Sequence, residues 1–244
     1  MAAIEAIDLH KSFGQLAALS GASLTVQEGE FHGLIGPNGS GKSTFMKCLA
    51  AAETPDRGRL FLNGMDIGKL GRAARARAGM SIKFQITSVL PTLTIFDNVL
   101  LAAQSSETFV TLLRSQSSRA LQDKVMITLD QFRLAHRAHE RASVLSHGEQ
   151  QWLEIAMALS TDPKLLLLDE PTAGMSIEER RMTGDLLRAL KDRCSIIIVE
   201  HDLDFVRDLC DRLTVLDQGR VLHCGTVAEM QASAEVQKVY LRRV

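Results

Sequence analysis

The stretch Gly36-Pro37-Asn38-Gly39-Ser40-Gly41-Lys42-Ser43 follows the apolar run Phe31-His32-Gly33-Leu34-Ile35. It leads into Ser43 to Ala52, where Phe45, Met46, Leu49 and Ala50 recur at helical spacing. The order is strand, glycine loop, helix, and the loop has the form G-x-x-x-x-G-K-[ST]. Glycines there let successive backbone N–H groups wrap a phosphate, and the N-terminus of the following helix adds positive partial charge. In such a loop Lys42 reaches the β- and γ-phosphates of a nucleotide, and the Ser43 hydroxyl ligates Mg²⁺. The bland alternative is a glycine turn with a solvated lysine, and the flanking strand and helix weigh against it.

Working outward, Ile4, Ile7, Leu9, Leu24 and Val26 alternate loosely with polar residues around a turn at Gln27 to Glu30, which predicts a small antiparallel sheet at the N-terminus. Downstream, Pro55 to Gly58 is a turn, Leu60 to Leu62 a short strand, Asn63-Gly64 a hairpin signal and Lys69 to Ala78 a basic helix. Thr94 to about Leu134 is helical in propensity, interrupted at Ser115 to Ser118. No glycine lies between Gly79 and Gly148, which suggests a helical subdomain inserted in an α/β core. Then come a helix at Gln150 to Ser160, a buried strand at Leu165 to Leu168, a helix at Ile177 to Arg193 and a second buried strand at Ser195 to Val199. Alternating strands and helices imply a parallel sheet. Asp202 to Asp211 is helical, Leu213 to Leu216 and Val221 to Cys224 are closing strands, and a last helix runs to Leu241.

Composition limits the function classes. Twenty-eight Lys and Arg face 29 Asp and Glu for a net charge of −1, so no electrostatic footprint points to nucleic acid. The chain of 244 residues, 45% apolar and 23% charged, is globular and has room for one large domain or a domain with a subdomain. No apolar stretch approaches the ~18–20 residues that span a bilayer, and Met1 to His10 carries acids and no secretory pattern. Cys48, Cys194, Cys210 and Cys224 lie far apart with no C-x-x-C pair, which fits reduced thiols rather than disulfides or zinc.

Two further segments carry chemistry. Leu165-Leu166-Leu167-Leu168-Asp169-Glu170 is a buried strand ending in two acids; beside a phosphate loop, Asp169 would hold Mg²⁺ through water and Glu170 would polarise the attacking water. Leu145-Ser146-His147-Gly148-Glu149-Gln150-Gln151 opens a helix, where Ser146 and the amides around Gly148 can present a second anion site. The basic residues Arg72, Arg75, Arg77 and Lys83 read as a solvated face, and Trp152 as packing.

With this last segment the chain resembles the ATP-binding cassette (ABC) family, whose signature has the form L-S-G-G-Q. His147 stands where the family has the first signature glycine and Glu149 where it has the glutamine, while Ser146 and Gly148 remain. The resemblance covers about Leu9 to Leu241. It implies an α/β P-loop NTPase core with a parallel sheet (residues 1–84 and 160–244), an N-terminal antiparallel β part, and an inserted helical subdomain at about 86–159 that carries the signature. It further implies that Phe13 stacks on adenine, and that ATP is bound by Gly36, Pro37, Asn38, Gly39, Ser40, Gly41, Lys42, Ser43 and Thr44, with Ser146 and Gly148 capping a partner's nucleotide. Gln85, after Phe84, resembles the glutamine that touches Mg²⁺ and faces a transmembrane partner, joining Ser43 and Asp169 as metal ligands. His201 resembles the switch histidine at the γ-phosphate and joins Glu170 and Lys42 in catalysis. Ala173 to Ser176 occupies the D-loop, with Ser176 in place of the usual aspartate.

The wording of Leu145 to Ala158, Asp169 to Met175, Phe84 to Val89 and Val239 to Leu241 is similar to ATPases of branched-chain amino acid and urea importers. That branch implies a head-to-tail dimer with a paralogous ATPase, two transmembrane permeases, an extracytoplasmic solute-binding protein, no nucleic acid, and a place at the cytoplasmic face of a bacterial inner membrane. A urea or short-amide importer ATPase, and a cassette acting on ribosomes or DNA, are the alternatives. Two cassettes in one chain or a long coiled-coil insertion would favour the latter. If His147 and Glu149 weaken the half-site they form, His147→Gly should raise turnover.

Overall fold

The structure of the chain is a computed structural model that describes residues 1–83, 88–104 and 119–233. Ala2–Phe13 (β1) pairs antiparallel with Leu16–Gln27 (β2) on one edge and with Arg57–Leu62 (β4) on the other. The Asn63-Gly64 turn, with φ of 48° and 76°, folds β4 back onto Met65–Asp66 (β5), as the hairpin signal predicts. The resulting four-stranded order is β2-β1-β4-β5.

The second sheet has the order β10-β9-β3-β8-β7-β6. Phe31–Ile35 (β3), Met80–Lys83 (β6), Leu165–Asp169 (β7), Ser195–Val199 (β8) and Arg212–Asp217 (β9) are parallel. Arg220–Thr226 (β10) closes one edge antiparallel. Every residue of β3, β7 and β8 is buried, which explains why these strands read as unbroken apolar runs rather than alternating ones. Alternation instead sorts the side chains between two cores. Leu165, Leu167 and Ile197 join Ile4, Leu24, Phe45 and Leu60 on the side of the antiparallel sheet. Leu166, Leu168, Ile196 and Ile198 face the helices on the other side, through Val99, Leu129, Leu153 and Ile155.

Among the described residues the α-helices are Lys42–Leu49 (α1), Arg72–Arg77 (α2), Ile95–Gln104 (α3), Arg119–Gln131 (α4), His147–Leu159 (α5), Ile177–Arg188 (α6), Leu203–Leu209 (α7) and Val227–Ala232 (α8). Helix α2 starts at Arg72 rather than Lys69, because Gly71 stays extended. Helix α5 starts three residues ahead of the predicted Gln150, because Ser146 and Glu149 form a capping box. Helix α6 ends at Arg188, short of the predicted Arg193. The Ser115 to Ser118 interruption and the final helix beyond Ser233 lie outside the described residues.

Two members of the basic set are not solvated. Arg75 is 3% exposed and its guanidinium donates to Cys48 O (2.7 Å) and Leu49 O (2.5 Å), carbonyls in the last turn of α1. Lys83 is 4% exposed and pairs with Glu154 of α5 at 3.6 Å. Trp152 packs as expected, and its Nε1 donates to Thr183 Oγ1 at 2.8 Å.

Candidate nucleotide site

Strand register aligns the C-terminal ends of three neighbouring strands. Leu34 of β3 and Asp169 of β7 both pair with Val199 of β8. The segments that follow, Gly36 to Ser43, Asp169-Glu170 and Glu200-His201, therefore emerge along one sheet edge, the usual place for a ligand crevice in such sheets.

The loop is shaped by close approach. Gly36 (φ +149°) lies against the backbone of β9, where a Cβ would collide with Leu216 O, and a Cβ on Gly41 (φ +105°) would stand 2.5 Å from Ala18 O. Helix α1 has no side-chain cap at Gly41, so its first amides remain available to an anion. Lys42 is buried, and its ammonium donates to Gly36 O (2.7 Å) and Pro37 O (3.0 Å), across the mouth of the loop. Asn38, Gly39 and Ser43 are exposed, Pro37 and Thr44 partly so, while the buried Ser40 Oγ has no hydrogen-bond partner. Phe13, at the end of β1, is 46% exposed with Lys11 Nζ 5.2 Å from its ring centre, so it is a surface platform and not a core residue.

At the end of β7, Asp169 is buried. Burial, and then repulsion from Glu170, push its carboxyl above the usual range against the pull of Lys83 and Lys42. Glu170 adopts a left-handed conformation (φ +48°), uncommon outside glycine and worth about 1 kcal/mol of strain. Its Oε1 lies 2.9 Å from Nε2 of the half-exposed His201. Next to His201, buried Glu200 accepts from Thr172 N–H (2.9 Å) and Thr172 Oγ–H (2.6 Å), fixing the turn that follows Glu170. Sequence reasoning assigned no role to Glu200, Thr172 or the Lys83 and Glu154 pair.

The Leu145 to Gln151 segment is built as a helix start. Ser146 Oγ accepts from Glu149 N–H at 3.3 Å, and Glu149 accepts from Ser146 N–H at 2.8 Å. Arg137 holds the other oxygen of Glu149 at 2.8 Å. The spacing S-x-x-E is a legible signal for this, repeated at Ser176/Glu179 and Thr226/Glu229. Ser176 thus serves as the N-cap of α6. The remaining metal candidate, Gln85, lies outside the described residues.

The donor set fits a Mg²⁺–nucleotide complex. Among the described residues no cluster of three or more His, Cys, Asp or Glu could hold a metal by itself. A hydroxyl (Ser43) and a carboxylate (Asp169) beside a phosphate loop match a cation that takes one or two protein ligands and completes its shell with phosphate and water. The uncapped amides, the unpartnered Ser40 hydroxyl and Lys42 match the phosphates.

Parallel sheet, glycine loop, aligned acids and histidine together define an α/β P-loop nucleotide-binding protein. The family model for the ABC transporter matches residues 19–173, and the chain belongs to that family. It is 34% identical, over 94% of its length and 93% of the relative's, to the high-affinity branched-chain amino acid transport ATP-binding protein LivG of Salmonella typhimurium. It is 33% identical to the methionine import ATP-binding protein MetN of Haemophilus influenzae, over 91% of this chain, and spans 64% of that relative's length. A solved ATP-binding cassette of an ABC transporter in its ADP conformation superposes with a TM-score of 0.88 at 28% identity, covering 99% of both chains. A dimeric cassette in a post-hydrolysis state bound to ADP and Pi gives 0.80 at 25% identity, covering 92% of this chain and 98% of that one.

Proposed function

We propose that this chain is the ATP-binding and ATP-hydrolysing subunit of an importer, driving uptake of branched-chain amino acids through two separate membrane permeases served by an extracytoplasmic binding protein. The observation that carries the reading is the Glu170 and His201 contact at the sheet edge that also bears the phosphate loop. In this reading the uncapped amides of α1 and Lys42 bind the β- and γ-phosphates, and Phe13 offers its exposed ring to adenine. Glu170 accepts a proton from the attacking water, oriented by His201, which donates from Nε2 and reaches the γ-phosphate. Ser43 and Asp169, with Gln85, hold Mg²⁺, which when bound neutralises charge on the β- and γ-phosphates.

Ser146 and Gly148 then cap the ATP of a second cassette arranged head to tail, so that each site closes only in the dimer. The dimeric relative bound to ADP and Pi supports assembly as a dimer. Because the γ-phosphate touches both subunits only in the closed state, its binding favours closure and its loss favours reopening. No helix among the described residues is long and apolar enough to cross a membrane, which is consistent with a peripheral place on the cytoplasmic face of a bacterial inner membrane. The choice of solute rests on the LivG relative, which this chain matches along nearly its whole length.

The test is uptake of labelled leucine and of labelled urea in source cells carrying the wild-type chain or Lys42→Ala at equal protein levels. Loss of leucine uptake alone is the expected result. Loss of urea uptake alone moves the chain to a urea importer, and loss of neither overturns both solutes.

A further inference from the structure

The N-termini of α5 and α6 meet at His147, a side chain to which the ATP chemistry gives no role. His147 Nε2 lies 2.9 Å from Ala173 O. A carbonyl only accepts, so the ring carries a proton on Nε2 and donates it. The same residue is also tied back to Glu170, since Ala173 N–H donates to Glu170 O at 3.2 Å. Gly174 (φ +75°) is packed beneath the imidazole, where a Cβ would stand 3.0 Å from Nε2 and 3.1 Å from Cδ2 of His147.

Other contacts hold the two helices together. A Cβ on Gly148 would stand 2.5 Å from Glu179 Oε1, so this carboxylate lies directly against the signature glycine. Its other oxygen accepts from the amide and the hydroxyl of Ser176, each at 2.8 Å. One negative charge thus sits beside two positive helix ends. A turn further along, Trp152 donates to Thr183, whose hydroxyl donates to Glu179 O at 2.8 Å.

We infer that His147 is a positioning residue that couples the signature segment to the turn after Glu170 in the same chain. A glycine at position 147, the usual family residue, has no side chain with which to make this bond. Resting on the reading above, in which Ser146 caps the partner's ATP while Glu170 acts on the chain's own, the His147 to Ala173 bond ties one composite site to the other. The bond therefore argues for the opposite sign to the sequence expectation: His147→Gly lowers turnover.

The experiment compares the full wild-type chain with His147→Gly and His147→Gln, the latter offering an amide N–H at similar reach. Amide hydrogen exchange over residues 171–177 is measured on the full chain alone, and ATPase kinetics on the assembled transporter. The glycine variant should exchange about fivefold faster in that segment, as expected for loss of one hydrogen bond, and the glutamine variant should restore most of the protection. In the transporter the glycine variant should lose kcat with KM for ATP within about twofold, and its Hill coefficient should fall toward unity. Unchanged exchange in the glycine variant, or equal acceleration in both variants, overturns the positioning role. Faster exchange with an unchanged Hill coefficient overturns the coupling of sites. A wild-type transporter without ATPase activity defeats the functional reading, and the exchange data still decide the role of the bond.

Discussion

His201 Nε2 and Glu170 Oε1 are 2.9 Å apart, joining the residue after Glu200 at the end of β8 to the acid at the end of β7. Because the two strands are paired in register through Asp169 and Val199, the contact is set by the sheet and not by loop chance. Glu170→Gln keeps the size of the side chain but cannot take a proton, so it should lower kcat by about 10²–10⁴-fold and leave ATP binding intact. Steady-state ATPase assays beside equilibrium ATP binding check this; turnover near wild type would remove Glu170 from the role of base.

The fit of Gly36 against Leu216 O predicts that Gly36→Ala is not a mild change. The added methyl must displace β9 or distort the loop, and the positive φ adds strain of about 1 kcal/mol. ATP affinity should fall at least tenfold, together with a lowered Tm. Isothermal titration and thermal melts on the same preparation separate the two effects.

Lys83 and Glu154 form an ion pair whose side chains are both 2% exposed. Burial pulls the Lys83 ammonium down and pushes the Glu154 carboxyl up, and each charge opposes the neutralisation of the other. Removing one partner leaves a buried charge, so Lys83→Met should cost about 3–5 kcal/mol, while combining it with Glu154→Leu should recover most of that loss. Urea denaturation of the two variants and wild type measures the difference. A double variant no more stable than the single one would refute the pairing.

Acid should weaken the start of α5. Burial raises the Glu149 carboxyl, but hydrogen bonds from Ser146 and Arg137 outweigh it and hold the group below its ordinary value. A lowered carboxyl contributes stability that is full above its unfolded pKa and is lost as pH falls through the folded value. Glu149→Gln keeps the box but removes the charge, so it should destabilise by about 0.5–1 kcal/mol at neutral pH. The gap should close below about pH 4. Melts of both proteins across that range report it, and a gap independent of pH would contradict the assignment.

The parts of the fold visible in the sequence were those encoded locally. Four leucines in a row from Leu165 need apolar neighbours on both faces, and Asn63-Gly64 supplies the positive φ of a tight hairpin, so strand and turn could be read directly. The phosphate loop and the acids Asp169 and Glu170 are short patterns at strand ends, whereas His201 is read through the family resemblance. What escaped was set by distant partners. Nothing in the spacing of Arg72, Arg75 and Arg77 says that the middle guanidinium turns inward to carbonyls of α1, and nothing near Glu154 names Lys83 as its counterion. Phe13 is apolar, and only the strand end on which it sits exposes it.

The caps of α5 and α6 look alike, yet they leave their hydroxyls in different chemical conditions. Ser176 receives the amide of Glu179 and gives its own hydrogen to that residue's carboxylate. Ser146 receives the amide of Glu149, and among the described residues its hydroxyl hydrogen goes to no acceptor. With one lone pair engaged by the helix, Ser146 keeps its hydroxyl hydrogen for a partner outside the cap. A hydroxyl in that condition still has a hydrogen to offer an incoming oxyanion, whereas that of Ser176 has already given its hydrogen to the carboxylate of its own cap.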